Sequence, residues 1–144
     1  MSMSDDNKGK PENPGNKQDE DAIAFMQGLF ELARNGGTGP LNVMLEAGVP
    51  LNIRTSEGDT LLMLACRNGH ADTARLLLER GAEPDASNHQ GQTPLMAAAM
   101  LNHVDIIDCL LEAGADKSLS NEEGHCAREL AKTNEAEQAL GRLT

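Results

Sequence analysis

The residues of this 144-residue chain best suited to nucleophilic or metal chemistry are three cysteines and four histidines. Cys66, Cys109 and Cys126 form an odd set without CxxC spacing, which suits neither a disulfide framework nor a zinc cluster. No basic neighbour recurs beside them in sequence, so each reads as a small packing residue and not as an activated thiol. His89 and His125 could approach one another on adjacent loops, yet neither has a cysteine or carboxylate at a fixed ligand spacing. Asp105 and Asp108 are explained by helix ends and solvated faces, and no GxSxG, GxGxxG, Walker-type or HExxH motif occurs. The expectation is therefore a chain with no catalytic residues, no metal and no cofactor.

The composition narrows the partners. With 23 Asp and Glu against 12 Lys and Arg the formal net charge is −11, which repels phosphate backbones, and nucleic acid is not expected as a partner. Aromatic residues are limited to Phe25 and Phe30, so stacking platforms for single strands are missing too. No stretch approaches the roughly 18 apolar residues of a membrane span, and MSMSDDNKGKPENPGNKQDED lacks the apolar region of a secretory signal. With unpaired cysteines, this reads as a cytoplasmic protein with no membrane partner. Residues 1–20 are polar and without apolar periodicity, and are expected to form a flexible tail ahead of a folded domain over 21–144.

The elements that must position any functional side chain follow from an internal period. Gly58, Gly91 and Gly124 form one series and Gly48, Gly81 and Gly114 another, each advancing by 33 residues. Leu29, Leu62 and Leu95 keep the same register, as do Leu45, Leu78 and Leu111, and Ala65, Ala98 and Ala131. Within one period Thr93 offers an N-cap oxygen and Pro94 occupies the first helical position, where no amide donor is needed. Leu95, Ala98 and Ala99 then mark a short helix with a small-residue face. A break at Asn102-His103 leads to a second helix through Ile107, Leu110 and Leu111, which Gly114 ends. Each unit is thus helix, turn, helix and an extended finger.

The segments GDTLLMLACRNGHADTARLLLERGAEPD and GQTPLMAAAMLNHVDIIDCLLEAGADKS resemble ankyrin repeats. The resemblance implies an all-α repeat solenoid of about four stacked units with finger loops: 22–54 as an amino-terminal cap, 55–87, 88–120, and 121–144 as a carboxy-terminal cap. His70 and His103 fall where relatives place a structural histidine. The first unit lacks the family's Thr-Pro-Leu-His core and offers a helical stripe of Ile23, Met26 and Phe30 instead. In the last unit Arg128, Glu129 and Lys132 suit an end that meets water. Met63 and Met96 replace the family histidine, so imidazole ties between fingers cannot form there and thioether packing must substitute.

The same resemblance implies a non-catalytic protein-protein interaction module, monomeric, that holds a partner on the concave surface of fingers and first helices. A dedicated inhibitor or regulatory subunit of one enzyme is the alternative. In this register the partner-binding positions are Arg54, Ser56, Glu57, Asp59, Arg67 and Asn68, then His89, Gln90, Gln92, Met100 and Leu101, then Glu122, Glu123 and His125. Met100 and Leu101 are either an apolar hot spot ringed by polar residues or two tolerated surface hydrophobes. Arg54 and Arg67 on one side and Glu122 and Glu123 on the other would grade the charge along the groove.

Overall fold

The computed structural model describes residues 14–144, with side chains described from Glu20 onward. Among them the chain forms eight helices: α1 Pro14–Asn35, α2 Thr38–Glu46, α3 Leu61–Arg67, α4 Ala71–Glu79, α5 Pro94–Met100, α6 Val104–Glu112, α7 Ala127–Thr133 and α8 Glu137–Leu143. The first helices pack in one row, α1 on α3, α3 on α5 and α5 on α7, while α2, α4, α6 and α8 form a second row behind them. The architecture is the all-α repeat solenoid implied by the resemblance.

Short helices form here because each carries its own punctuation. Thr60 Oγ1 accepts from Met63 N at 3.1 Å and Thr93 Oγ1 from Met96 N at 3.2 Å, which satisfies an otherwise orphaned amide at each helix start. Cys126 holds the same position in α7, and there Glu129 reaches back so that its Oε1 accepts from Cys126 N at 3.0 Å. That hydrogen bond lowers the carboxyl pKa of Glu129. The repeating leucines and alanines then bury fully: Leu29, Leu62 and Leu95 are sealed between units, and Ala65, Ala98 and Ala131 let the first-row helices approach closely. Each buried leucine contributes roughly 2 kcal/mol relative to exposure. No unit could seal these faces alone, so the stack is the source of stability.

The turn between the two helices of a unit shows how stacking selects residues. Gly36, Gly69, Asn102 and Glu135 all have positive φ, at 75°, 79°, 62° and 57°. A Cβ on Gly36 would lie 2.6 Å from His70 Nδ1, and one on Gly69 would lie 3.0 Å from the His103 ring. Glycine is needed where the next unit brings a histidine. The next unit after Asn102 brings Ala136 instead, and the room is used: Asn102 Nδ2 donates to Gln138 Oε1 at 2.6 Å and its Oδ1 accepts from Ala139 N at 2.9 Å. The structural role implied for His70 is visible in the 2.7 Å hydrogen bond between its Nε2 and Arg34 O.

Two features mark the amino-terminal end. The tail assigned to 1–20 overlaps α1 from Pro14, a residue whose fixed φ and missing amide suit a helix start; residues 1–13 lie outside the described residues. The helical stripe of Ile23, Met26 and Phe30 lies on α1 and is unevenly covered. Phe30 is buried and Met26 half-buried, but Ile23 is 50% exposed, because α1 runs past the amino-terminal end of the much shorter α3.

Candidate functional site

Three fingers carry most of the predicted contact residues, and one device shapes all three. In the first, Thr55 Oγ1 accepts from Glu57 N at 3.3 Å and Asp59 N at 3.1 Å. In the second, Asn88 Oδ1 accepts from Gln90 N at 2.9 Å and Gln92 N at 3.0 Å; in the third, Asn121 Oδ1 accepts from Glu123 N at 2.9 Å and His125 N at 3.0 Å. A short side chain thus folds the tip of each finger around itself. Neighbouring fingers are tied by main chain, with His89 N donating to Glu57 O at 3.1 Å and Glu122 N to Gln90 O at 3.0 Å. Met63 and Met96 are fully buried, so their thioethers fill the core and take no part in the ties between fingers.

Between the first two fingers lies an open groove of about 390 Å³ that brings together Ser56, Glu57, Asp59, Arg67, His89, Gln90 and Gln92, together with Asn88. At its base Arg67 Nη1 and Nη2 donate to Asp59 Oδ2 and Oδ1, both at 3.1 Å, and Asn88 Nδ2 donates to Asp59 Oδ1 at 2.9 Å. Burial pushes the Asp59 pKa up, but the hydrogen bonds from Arg67 and Asn88 and the guanidinium charge outweigh it, and the net direction is down. The hydrogen bond to Asp59 likewise raises Arg67.

The register predicts Asp59 among the exposed contacts, yet it is 3% exposed and faces Arg67 and Asn88, since an unpaired carboxylate could not be buried there. It positions the base of the groove through these hydrogen bonds. The same pairing sets a carboxylate of the same unit against the Arg67 charge. Arg54, whose Nη1 donates to Gly58 O at 2.9 Å and Ser87 O at 2.8 Å, keeps its charge unanswered by any carboxylate among the described residues.

One period later the Asp59–Arg67 position is held by Gln92 and Met100, with Gln92 Nε2 3.6 Å from Met100 Sδ. Met100 is therefore half-buried against the core, and of the expected apolar pair only Leu101, 50% exposed, is freely presented. Arg54, Asn68, Met100, Leu101, Glu122, Glu123 and His125 lie outside the groove between the first two fingers. His125 is exposed, with Nδ1 3.9 Å from Glu123 Oε1, and among the described residues no group of three His, Cys, Asp or Glu could hold a metal.

Three features escape a reading of the sequence alone. Asn88 is not among the expected residues, although Thr55, Asn88 and Asn121 share the 33-residue register of the glycines. Arg75, remote from Cys109 in sequence, brings Nη2 to 3.4 Å from its Sγ, so a basic neighbour exists after all. A second and larger groove, hidden by the expectation that the first unit is only a cap, measures about 590 Å³ and is lined by Ile23, Met26 and Phe30 opposite Arg54, Thr55 and Ser56. Among the described residues no helix is long and apolar enough to cross a membrane.

The comparisons agree with this geometry. A family model described as ankyrin repeats, in three copies, matches residues 29–121. A curated ankyrin repeat protein of Pseudomonas aeruginosa is 41% identical over 54 residues, which is 38% of this chain and 32% of the relative, so the aligned part spans about a third of that protein. Ankyrin repeats are in general protein-protein interaction modules. The chain belongs to the ankyrin-repeat family.

Proposed function

We propose that this chain is a non-catalytic module that holds a partner protein on the face made by its fingers and first-row helices. The observation that carries the reading is the order of the fingers: each tip is folded on Thr55, Asn88 or Asn121, and each is tied to its neighbour by main chain before any partner arrives. A surface already ordered lowers the entropic cost of association. The exposed finger residues Arg54, Ser56, Glu57, His89, Gln90, Glu122 and Glu123, with Asn68, Leu101 and His125 nearby, are the proposed contacts, steadied from below by Asp59, Arg67 and Gln92. The net charge of −11 supports a protein partner over nucleic acid, and the three unpaired thiols support a reducing compartment such as the cytoplasm. A single copy suffices for this role.

The test is capture from an extract of the native host by the immobilised chain, with Leu101→Ser alongside. The variant is expected to melt like the parent while capture falls several-fold. Unchanged capture removes Leu101 from the contact. A single abundant enzyme in the eluate, held at fixed stoichiometry and losing activity, would mark an inhibitor; several partners would mark a scaffold.

A further inference from the structure

Two Asn-Gly steps occur in the chain, Asn35-Gly36 and Asn68-Gly69, and both stand at one place in the 33-residue register, where the first helix of a unit turns toward the second. An asparagine followed by glycine carries its own chemistry. The carboxamide carbon and the next main-chain nitrogen are spaced for a five-membered ring, and glycine has no Cβ to hinder their approach. How readily that ring closes depends on what else holds the two groups.

In the second unit both are held. Asn68 Nδ2 donates to Leu64 O at 2.7 Å, and Gly69 N donates to Cys66 O at 3.4 Å. In the last unit Asn134 Nδ2 makes the same bond, to Leu130 O at 2.8 Å, and Glu135 follows it in place of glycine. The third unit has Leu101 at this position. In the first unit neither restraint forms: among the described residues the Asn35 carboxamide has no hydrogen-bond partner, and Gly36 N has no acceptor matching the one Gly69 finds. Asn35 is exposed, so water reaches it.

We propose that Asn35 is a site of spontaneous deamidation in the folded chain, with water as the co-reactant. The Gly36 nitrogen attacks Cγ of Asn35, so a carbon–nitrogen bond forms and the bond from Cγ to Nδ2 breaks. The proton lost from Gly36 N is made up, through water, on the departing nitrogen, which leaves as ammonia. Water then opens the cyclic imide at either carbonyl and returns an aspartate or an isoaspartate, in which the main chain runs through the former side chain.

Isoaspartate adds one carbon to the main chain of a closely tied turn. Gly37 N donates to Leu32 O and Thr38 N to Gly36 O, both at 2.8 Å, while His70 Nε2 donates to Arg34 O at 2.7 Å. The His70 ring lies so near that a Cβ on Gly36 would be 2.6 Å from Nδ1. A lengthened turn cannot keep all of these contacts, so the seat of the first unit on the second weakens. The new carboxylate also lies at the carboxyl end of α1, where the helix dipole disfavours it.

The test ages the full chain in mildly alkaline buffer, folded and in concentrated urea, and cleaves it after glutamate. Residues 32–46 then carry Asn35 apart from Asn68 in 58–79, and fragment mass spectra locate each new acid. In the folded chain Asn35 is expected to convert about fivefold or more faster than Asn68, the weight of one hydrogen bond that must open first. In urea the two rates are expected to be equal. Asn35→Gln, whose larger ring closes far more slowly, is expected to stop the conversion at that position. The aged parent is expected to melt a few degrees below the fresh one, and aged Asn35→Gln is expected to melt as when fresh. Equal rates in the folded chain, or a faster Asn68, would overturn the proposal. An unchanged melt after full conversion would overturn the weakened seat of the first unit.

Discussion

Transplanting the pair Gln92 and Met100 into the position of Asp59 and Arg67 measures what the buried charge contributes. Asp59 is 3% exposed, with two contacts to Arg67 at 3.1 Å and one to Asn88 at 2.9 Å. Arg67→Met leaves the carboxylate buried with one side-chain donor, and should cost about 3 kcal/mol, the low end for breaking a buried pair, since the Arg67 side chain is 35% exposed and water reaches that edge. Asp59→Gln strands a guanidinium that can turn to solvent, and should cost about 1.5 kcal/mol. The double variant recreates a neutral pair that the next unit already tolerates, and should cost only about 1 kcal/mol. The coupling between the two sites is then about 3 kcal/mol or somewhat more. Urea unfolding followed by circular dichroism reads these differences from the midpoints, provided the slope stays constant across the four proteins. The pH dependence gives a second readout. A folded pKa below the ordinary value of about 3.9 means that Asp59 contributes its stability in full above that pH and loses it as pH falls toward and through the folded value. The double variant, which has no carboxylate there, should lack that part of the acid slope. Additivity of the two single substitutions within about 0.5 kcal/mol would refute the account of a coupled, buried pair.

Gly28→Ala should stabilise the chain by about 0.5 to 1 kcal/mol, because a Cβ on this helical glycine would meet nothing within 4 Å and alanine loses less entropy; a lower melting temperature would contradict it. Gly69→Ala should destabilise by more than about 1 kcal/mol, since φ is +79° and the new Cβ would meet the His103 ring at 3.0 Å, and His103→Ala in the same chain should recover part of the loss. Thr93→Ala should cost about 1 kcal/mol through the lost cap on Met96 N, read as a shift in the urea midpoint.

What could be read from the sequence and what could not divide by physical range. The 33-residue register is written in turn chemistry and in burial, so Thr93 as a cap and Leu62 and Leu95 as core follow from local rules, and the stack follows from them. The side chains of the candidate face obey no local rule, because their surroundings come from the adjoining unit. Asp59 looks like a solvated acid until Asn88, 29 residues on, is placed against it. Met100 looks fully exposed until Gln92 and the core are placed against its thioether, and Cys109 looks isolated until Arg75 arrives from the preceding unit.

Ile23 shows the same limit from the other side. Its helical spacing with Met26 and Phe30 is a true core signal, but α3 is too short to cover it, and helix length is set by punctuation in two different units. A repeat sequence therefore declares its scaffold unit by unit and its binding surface only in pairs of units. The residues that depart from the repeat, Arg54 without a carboxylate and α1 without a cover, are those at which this stack can differ from any other built on the same register.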